Sequence, residues 1–66
     1  MNNNLRSYRL NRLLTQRQLA RKAKVALRTI VYIENGGNPR RETKRKILYA
    51  LDVEFKMIDD VFPEKR

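Results

Sequence analysis

Apolar residues recur along the first half of this chain at the spacing of amphipathic helices. Leu5, Tyr8 and Arg9 stand at positions i, i+3 and i+4, which lie on one face of a helix. The next two segments repeat this pattern with residues suited to a core, namely Leu19, Ala20, Ala23, Ile30 and Ile33. We therefore expect three helices in this half, each of which buries one apolar face.

Polar residues mark the start of the second helix, and a short break separates it from the third. Thr15 and Gln18 have the spacing of a capping box, in which each side chain bonds the other residue's backbone N–H at the start of a helix. The only break before the next helical pattern is Lys24-Val25-Ala26, where Val25 would fill the turn. Two short helices joined by three residues have the length of a helix-turn-helix motif.

Glycine and proline divide the second half into a loop and two further helices. The third helix is expected to end at Asn35 or Gly36, either of which suits a left-handed cap, and Pro39 lies beyond. A fourth helix is predicted over about 41–51 and a short last one over about 55–61, with 63–66 as a frayed tail. Their apolar residues are Ile47, Leu48, Ala50, Leu51, Phe55, Ile58, Val61 and Phe62. The sequence thus predicts an all-α fold, as a single domain over residues 1–66 with its core at about 5–62.

Composition narrows the chemistry that such a domain can perform. The 66 residues include no Cys and no His, which excludes disulfides, thiolate nucleophiles, Cys/His zinc sites and imidazole acid–base catalysis. We therefore expect no enzyme activity, no metal and no cofactor. The longest apolar run, Ile30–Ile33, is too short to span a bilayer, and the N-terminal residues lack the apolar segment of a secretory signal. A cytoplasmic location is the expectation.

The net charge of +9 is distributed unevenly. Residues 1–33 contain eight basic side chains and no acidic one, and Glu34 is the first acid. Residues 34–46 add five bases against two acids, whereas residues 47–66 hold three bases and five acids. A solubilising surface does not require this asymmetry. A polyanion-binding face does, because clustered Lys and Arg release counterions from a phosphate backbone. An anionic membrane is the competing polyanion, but apolar stripes on several helices favour a globular domain that binds nucleic acid.

Two motifs at fixed spacing point to one family. Thr-Gln-x-x-Leu-Ala at residues 15–20 is followed by Thr-Ile-x-x-Ile-Glu-x-Gly at residues 29–36. With these motifs, residues 5–62 resemble the phage-repressor and Cro-like helix-turn-helix domains of the XRE family. Further positions that match the family pattern are Leu5, Arg6, Arg9, Pro39, Thr43, Ile47, Ala50, Leu51 and Val53. The resemblance implies a compact fold of five α-helices, in which helices 2 and 3 form the helix-turn-helix.

The resemblance also implies roles for individual residues. Helix 3 would enter the major groove and face the bases with Leu27, Arg28, Val31 and Tyr32. Arg28 is the expected base reader, because a guanidinium can bond guanine O6 and N7 together. Phosphate contacts are expected at the start of helix 2 and after helix 3, from Thr15, Gln16, Arg17, Asn35, Asn38, Arg40 and Arg41. Arg9 and Glu34 would form a partly buried structural ion pair.

Four positions depart from the family pattern. Leu13 and Lys24 stand where glycine usually ends helix 1 and usually forms the turn between helices 2 and 3. Lys24 must therefore adopt a left-handed conformation at a cost of about 1 kcal/mol, or the turn must follow another path. Ala26 replaces the usual Ser cap of helix 3, and Lys44 replaces a commonly apolar residue of helix 4.

These features together predict a sequence-specific transcriptional regulator, specifically a repressor that occupies operator DNA. The expected partner is double-stranded DNA, bound by a possible homodimer on a palindromic site, with no membrane and no small-molecule ligand. The candidate dimer surface, which is alternatively the core side of the last helix, consists of Phe55, Ile58, Val61 and Phe62. The alternative function is a protein-interaction module such as an antitoxin or anti-repressor, because Leu27, Val31 and Tyr32 make helix 3 rather apolar on its outward side.

Overall fold

Helices account for most of residues 3–63, the part of the chain that the computed structural model describes. The α-helices are α1 (Leu5–Asn11), α2 (Gln16–Ala23), α3 (Leu27–Glu34), α4 (Arg41–Ala50) and α5 (Ile58–Val61), and a 3-10 helix (Phe55–Met57) precedes α5. The all-α fold class with five helices is thereby confirmed for this part of the chain. Residues 64–66 of the predicted tail lie outside it.

The core forms around α2, which packs against both α3 and α4, while α1 contacts α3. The side chains that are almost fully removed from solvent are Leu5, Leu19, Ile30, Ile33, Ile47, Leu48, Leu51 and Val61. Ala20 and Ala23 are also buried, and their small side chains let the neighbouring helices approach α2 closely. The apolar positions chosen by helical spacing thus form one continuous core.

A residue with a left-handed backbone conformation follows or caps each of the first four helices. Gly36 takes this conformation after α3, with φ of 102°, so glycine rather than Asn35 supplies the turn. Leu13, Lys24 and Asp52 have φ of 58°, 59° and 61° after α1, α2 and α4. Lys24 therefore keeps the usual path of the helix-turn-helix turn and accepts the steric cost that its Cβ brings.

The C-terminal segment departs from the predicted single helix. The last helix is interrupted, because residues 55–57 form a 3-10 helix and only Ile58–Val61 is α-helical. Asn4, the N-cap residue of α1, donates from its backbone N–H to the Val61 carbonyl over 2.8 Å and from Nδ2 to the Asp60 carbonyl over 2.7 Å, and so bonds the end of α5. Val61 and Phe62 are 0% and 3% exposed, which makes them part of the core. Of the two roles predicted for these residues, dimer surface or core side of the last helix, Val61 and Phe62 have the second, because they pack in the core.

Lys44 occupies a core position on α4 despite its charge. Only 7% of its surface is exposed, and its Nζ lies 5.8 Å from the centre of the Phe62 ring. The methylene stem fills the space of the usual apolar residue, while the ammonium group lies over an aromatic face. The departure from the family pattern thus leaves the packing intact.

No helix within residues 3–63 is long and apolar enough to cross a lipid bilayer.

Candidate nucleic-acid interface

The start of α2 is organised by the predicted capping box. The Thr15 Oγ1 accepts a hydrogen bond from the Gln18 backbone N–H over 3.0 Å, and the Gln18 Oε1 accepts one from the Thr15 N–H over 2.8 Å. The Thr15 oxygen therefore accepts a hydrogen bond within the helix, but the hydroxyl hydrogen is still able to donate to an anion. Arg17, in the first turn of α2, is exposed.

A buried ion pair connects α1 to the end of α3. Arg9 Nε lies 2.6 Å from Glu34 Oε2, and Arg9 Nη2 lies 3.1 Å from Glu34 Oε1. Arg9 Nη1 also donates to the Leu14 carbonyl over 2.8 Å. The two residues are 7% and 5% exposed, so the structure contains the ion pair that the resemblance implied. Each nitrogen of the guanidinium has a partner, which offsets part of the cost of removing the charges from water.

Gln16 joins α2 to the same pair. Its Nε2 donates to Glu34 Oε1 over 3.1 Å, so this carboxylate oxygen accepts from both Gln16 and Arg9. The contact ties the first residue of α2 to the last residue of α3 and fixes the angle between the two helices. Gln16 is half-buried, and its remaining exposed surface borders a cleft.

This cleft lies beside the ion pair and has a volume of about 290 Å³. Its walls are formed by Arg6, Arg9, Gln16, Glu34 and Asn35, which brings together two of the residues predicted to contact phosphate, Gln16 and Asn35. Arg6 is exposed here and was missed as a candidate site residue. The signal was present in the sequence, because Arg6 precedes Arg9 by three positions and so shares its helical side.

The four side chains on the outward side of α3 are exposed to solvent to different degrees. Arg28 is exposed, and Tyr32, one turn further along, is 57% exposed. Leu27 and Val31 are half-buried, and Leu27 packs against the core. Ala26, the N-cap of α3, makes no side-chain hydrogen bond. Arg28 and Tyr32 are therefore the two members of the predicted base-reading set with most surface available to a partner.

Tyr32 lies against the loop that follows α3. A Cβ built on Gly37 would come within 2.4 Å of the Tyr32 ring atoms Cε2 and Cζ, so the ring rests on the α-carbon of this glycine. The Gly37 backbone N–H also donates to the Tyr32 carbonyl over 2.9 Å. Nothing in the sequence near Gly37 indicates this contact, because it depends on a side chain from another element.

The loop residues predicted to contact phosphate are divided between two places. Asn35 and Arg40 are exposed, the latter at the N-cap of α4. Arg41 is turned toward the C-terminal segment, where its guanidinium lies 5.1 Å from the centre of the Phe55 ring. Asn38 and Arg41 border a second cleft of about 240 Å³ between the loop, α4 and α5. The structure therefore does not bring Arg41 to the same cleft as Gln16 and Asn35.

Most of the basic charge in the first half of the chain is uncompensated. Within residues 3–63, the only ion pairs are Arg9 with Glu34 and the exposed pair of Lys56 with Glu54. Glu34, the sole acid among the first 41 residues, is paired with Arg9. The remaining basic side chains of this half have no acidic side chain within it to offset them, and the resulting positive charge favours a polyanionic partner.

Comparison with known proteins agrees with this arrangement. The family described as helix-turn-helix matches residues 5–58, which include α1 to α4 and the 3-10 helix. No curated protein sequence matches the chain. Because the match covers most of the chain, and α2 and α3 have the expected three-residue turn, the chain belongs to the helix-turn-helix family of the phage-repressor and Cro-like type, a family of DNA-binding regulators.

Proposed function

We propose that this protein is a sequence-specific transcriptional repressor that acts by occupying operator DNA. The observation that carries the proposal is the position of Arg28, which is exposed on α3. At the C-terminal end of α3, Glu34 accepts a hydrogen bond from Gln16 of α2. A rigid junction of α2 and α3 would hold α3 in the major groove, where Arg28 would bond a guanine edge.

Phosphate contacts would flank this base contact. We propose that Thr15, Gln16 and Arg17 meet one stretch of backbone from the start of α2, where free N–H groups favour an anion. The cleft that contains Arg6, Gln16 and Asn35 supports this placement, because it presents cationic and amide groups beside that helix end, while the Glu34 carboxylate in its wall is bonded to Arg9 and Gln16. Asn38, Arg40 and Arg41 would follow the backbone from the loop. Such contacts position the protein without reading sequence.

A homodimer on a palindromic site is the assembly that we propose, because one small domain buries little area on DNA. The exposed apolar side chains of the C-terminal segment, Phe55 and Met57, are 37% and 40% exposed and are available for such a contact. We further propose that residues 1–66 act as a single domain in the cytoplasm.

In-vitro selection of bound duplexes, followed by fluorescence anisotropy across a salt series, tests the proposal. We expect a recovered consensus with two-fold symmetry, and a log–log plot of affinity against salt that falls steeply. Absence of binding to any duplex at low salt would refute DNA binding. Binding without an enriched sequence would refute the sequence-specific part alone.

A protein-interaction module is the second candidate, and the apolar character of α3 supports it. Leu27 and Val31 retain partial exposure beside Tyr32, which leaves a mixed apolar face around one charged donor. If no duplex binds, this face would be the surface that an antitoxin or anti-repressor presents to its protein partner. Substituting Val31→Asp would then abolish capture of that partner while the melting temperature stays unchanged.

A further inference from the structure

We infer that Tyr32 contacts the sugar-phosphate backbone rather than a base edge, and that Gly37 is what allows it to do so. This inference rests on the DNA-binding function proposed above and refines it. It reassigns one of the four outward residues of α3 and gives a role to a glycine outside the family motif.

The Tyr32 side chain is directed toward the loop that follows α3. Its ring covers Gly37 closely enough that an added Cβ would lie 2.4 Å from Cζ, the atom that carries the hydroxyl group. The hydroxyl therefore lies beside the loop that leads to Asn38 and Arg40. Arg28 lies one turn earlier on α3, so the end of the tyrosine is directed away from the N-terminal half of the helix that enters the groove.

The Tyr32 hydroxyl is free to bind a partner. It makes no hydrogen bond within residues 3–63, and 57% of the residue's surface is exposed. A phenol is a neutral donor that suits a phosphate oxygen, and hydroxyl contacts of this kind fix the register of a protein on DNA without carrying sequence information.

The two neighbouring glycines of this loop differ in what they permit. Gly36 is required by its φ of 102°, a conformation that side chains rarely adopt. Gly37 does not have a positive φ, so the backbone alone would tolerate another residue there. What glycine permits here is the position of the Tyr32 ring, because a Cβ would collide with the ring and displace this exposed side chain from the loop. The bond from the Gly37 N–H to the Tyr32 carbonyl keeps the two residues in this relationship.

Tyr32→Phe separates a backbone contact from a base contact. We expect anisotropy to show affinity falling by about three- to tenfold, the value of one hydrogen bond, for the selected duplex and all its single-base-pair variants alike. The salt slope should not change, because the lost group is neutral. Tyr49→Phe is the matched control, since Tyr49 is 85% exposed on α4, lies outside the proposed interface and should have no effect.

Gly37→Ala tests the positioning role. It should cause the same uniform loss, and the double variant with Tyr32→Phe should bind no more weakly than the weaker single variant, because both changes remove one contact. In the free protein, the ring of Tyr32 should shift the Gly37 Hα resonances in NMR spectra. Tyr32→Ala should abolish that shift, whereas the melting temperature should remain unchanged.

The possible results separate this inference from the proposed function. If wild-type protein binds no duplex, the proposed function fails and this inference fails with it. If wild-type protein binds and Tyr32→Phe alters the preference at one base pair, the inference alone is overturned, because Tyr32 then reads a base. Additive losses for Tyr32→Phe and Gly37→Ala would overturn the role assigned to Gly37.

Discussion

Glu34 accepts hydrogen bonds from Arg9 through both carboxylate oxygens, over 2.6 and 3.1 Å, at a point where both residues are buried. Since Gln16 shares one of these oxygens, a single carboxylate holds the ends of three helices together. The relative placement of α1, α2 and α3 thus involves one buried charge pair.

Removal of this carboxylate should destabilise the whole domain. For Glu34→Ala we expect a loss of about 3–5 kcal/mol in the free energy of unfolding, because the Arg9 charge would remain buried without a partner. The measurement is urea or thermal unfolding followed by circular dichroism. A loss of this size is a large share of the stability of a small domain, so the variant should be partly unfolded at room temperature.

Two further variants accompany this measurement. Glu34→Gln keeps the shape of the side chain and removes the charge, so it should also lower the melting temperature, by a smaller amount. Glu42→Ala removes an exposed acid from the first turn of α4 and should have little effect. An unchanged melting temperature for Glu34→Ala would contradict the structural role of the pair.

Glycine at the left-handed cap of α2 should stabilise the protein. Lys24 has φ of 59° and ψ of 43°, so its Cβ is held against the backbone. We expect Lys24→Gly to raise the free energy of unfolding by about 0.5–1 kcal/mol, after the greater freedom of glycine in the unfolded chain is subtracted.

Lys22→Gly is the matched control. Lys22 is an exposed lysine inside α2, where glycine should instead destabilise the protein by several tenths of a kcal/mol. Equal effects of the two substitutions would contradict this explanation.

Tyr8 should lose its contribution to stability at alkaline pH. Its hydroxyl donates to the Asp60 carboxylate, which raises the pKa of Tyr8 above the ordinary value of 10.0, with burial and the charge of Asp60 acting in the same direction. A raised pKa means that the folded state holds this proton more tightly than the unfolded state does. The contribution is therefore complete below pH 10.0 and is lost as the pH rises through the raised pKa.

The ultraviolet absorbance of tyrosinate, followed in wild type and Tyr8→Phe, isolates this titration by difference. In Asp60→Asn, the pKa of Tyr8 should fall toward 10.0, because the amide still accepts a hydrogen bond but carries no charge to oppose the phenolate. The contact from α1 to α5 would be disproved if Asp60→Asn left the titration of Tyr8 unchanged.

Arg28 and Arg40 should differ in how their removal affects DNA binding. Arg28→Ala should relax the preference at one base pair by about 1–3 kcal/mol, whereas Arg40→Ala should weaken all sequences alike and reduce the salt slope by about one. Arg21→Ala serves as the control, because Arg21 is exposed on α2 and lies outside the proposed contacts. Anisotropy with the selected duplex and its variants gives both readouts. Identical behaviour of Arg28→Ala and Arg40→Ala would contradict the division into base and phosphate contacts.

Much of the fold was predictable because its signals are local. The capping box of Thr15 and Gln18 requires residues three apart, and the three-residue turn is bounded by the ends of two periodic segments. Arg9 and Glu34 are 25 positions apart, and only the family resemblance connected them before the structure did. The spacing of Arg6 and Arg9 places both on one side of α1, but the place of Arg6 beside Gln16 and Asn35 depends on how α1 packs.

The sequence alone determined the helices, their caps, the identity of most core residues and the uneven charge, because each follows from spacing over a few residues. The tertiary structure decided which apolar residues remain available. It buried Val61 and Phe62, partly covered Leu27, and left Phe55 exposed beside the guanidinium groups of Arg41 and Arg45. It also laid Tyr32 on Gly37. These outcomes depend on the packing of side chains from separate elements, which periodicity within one helix does not specify.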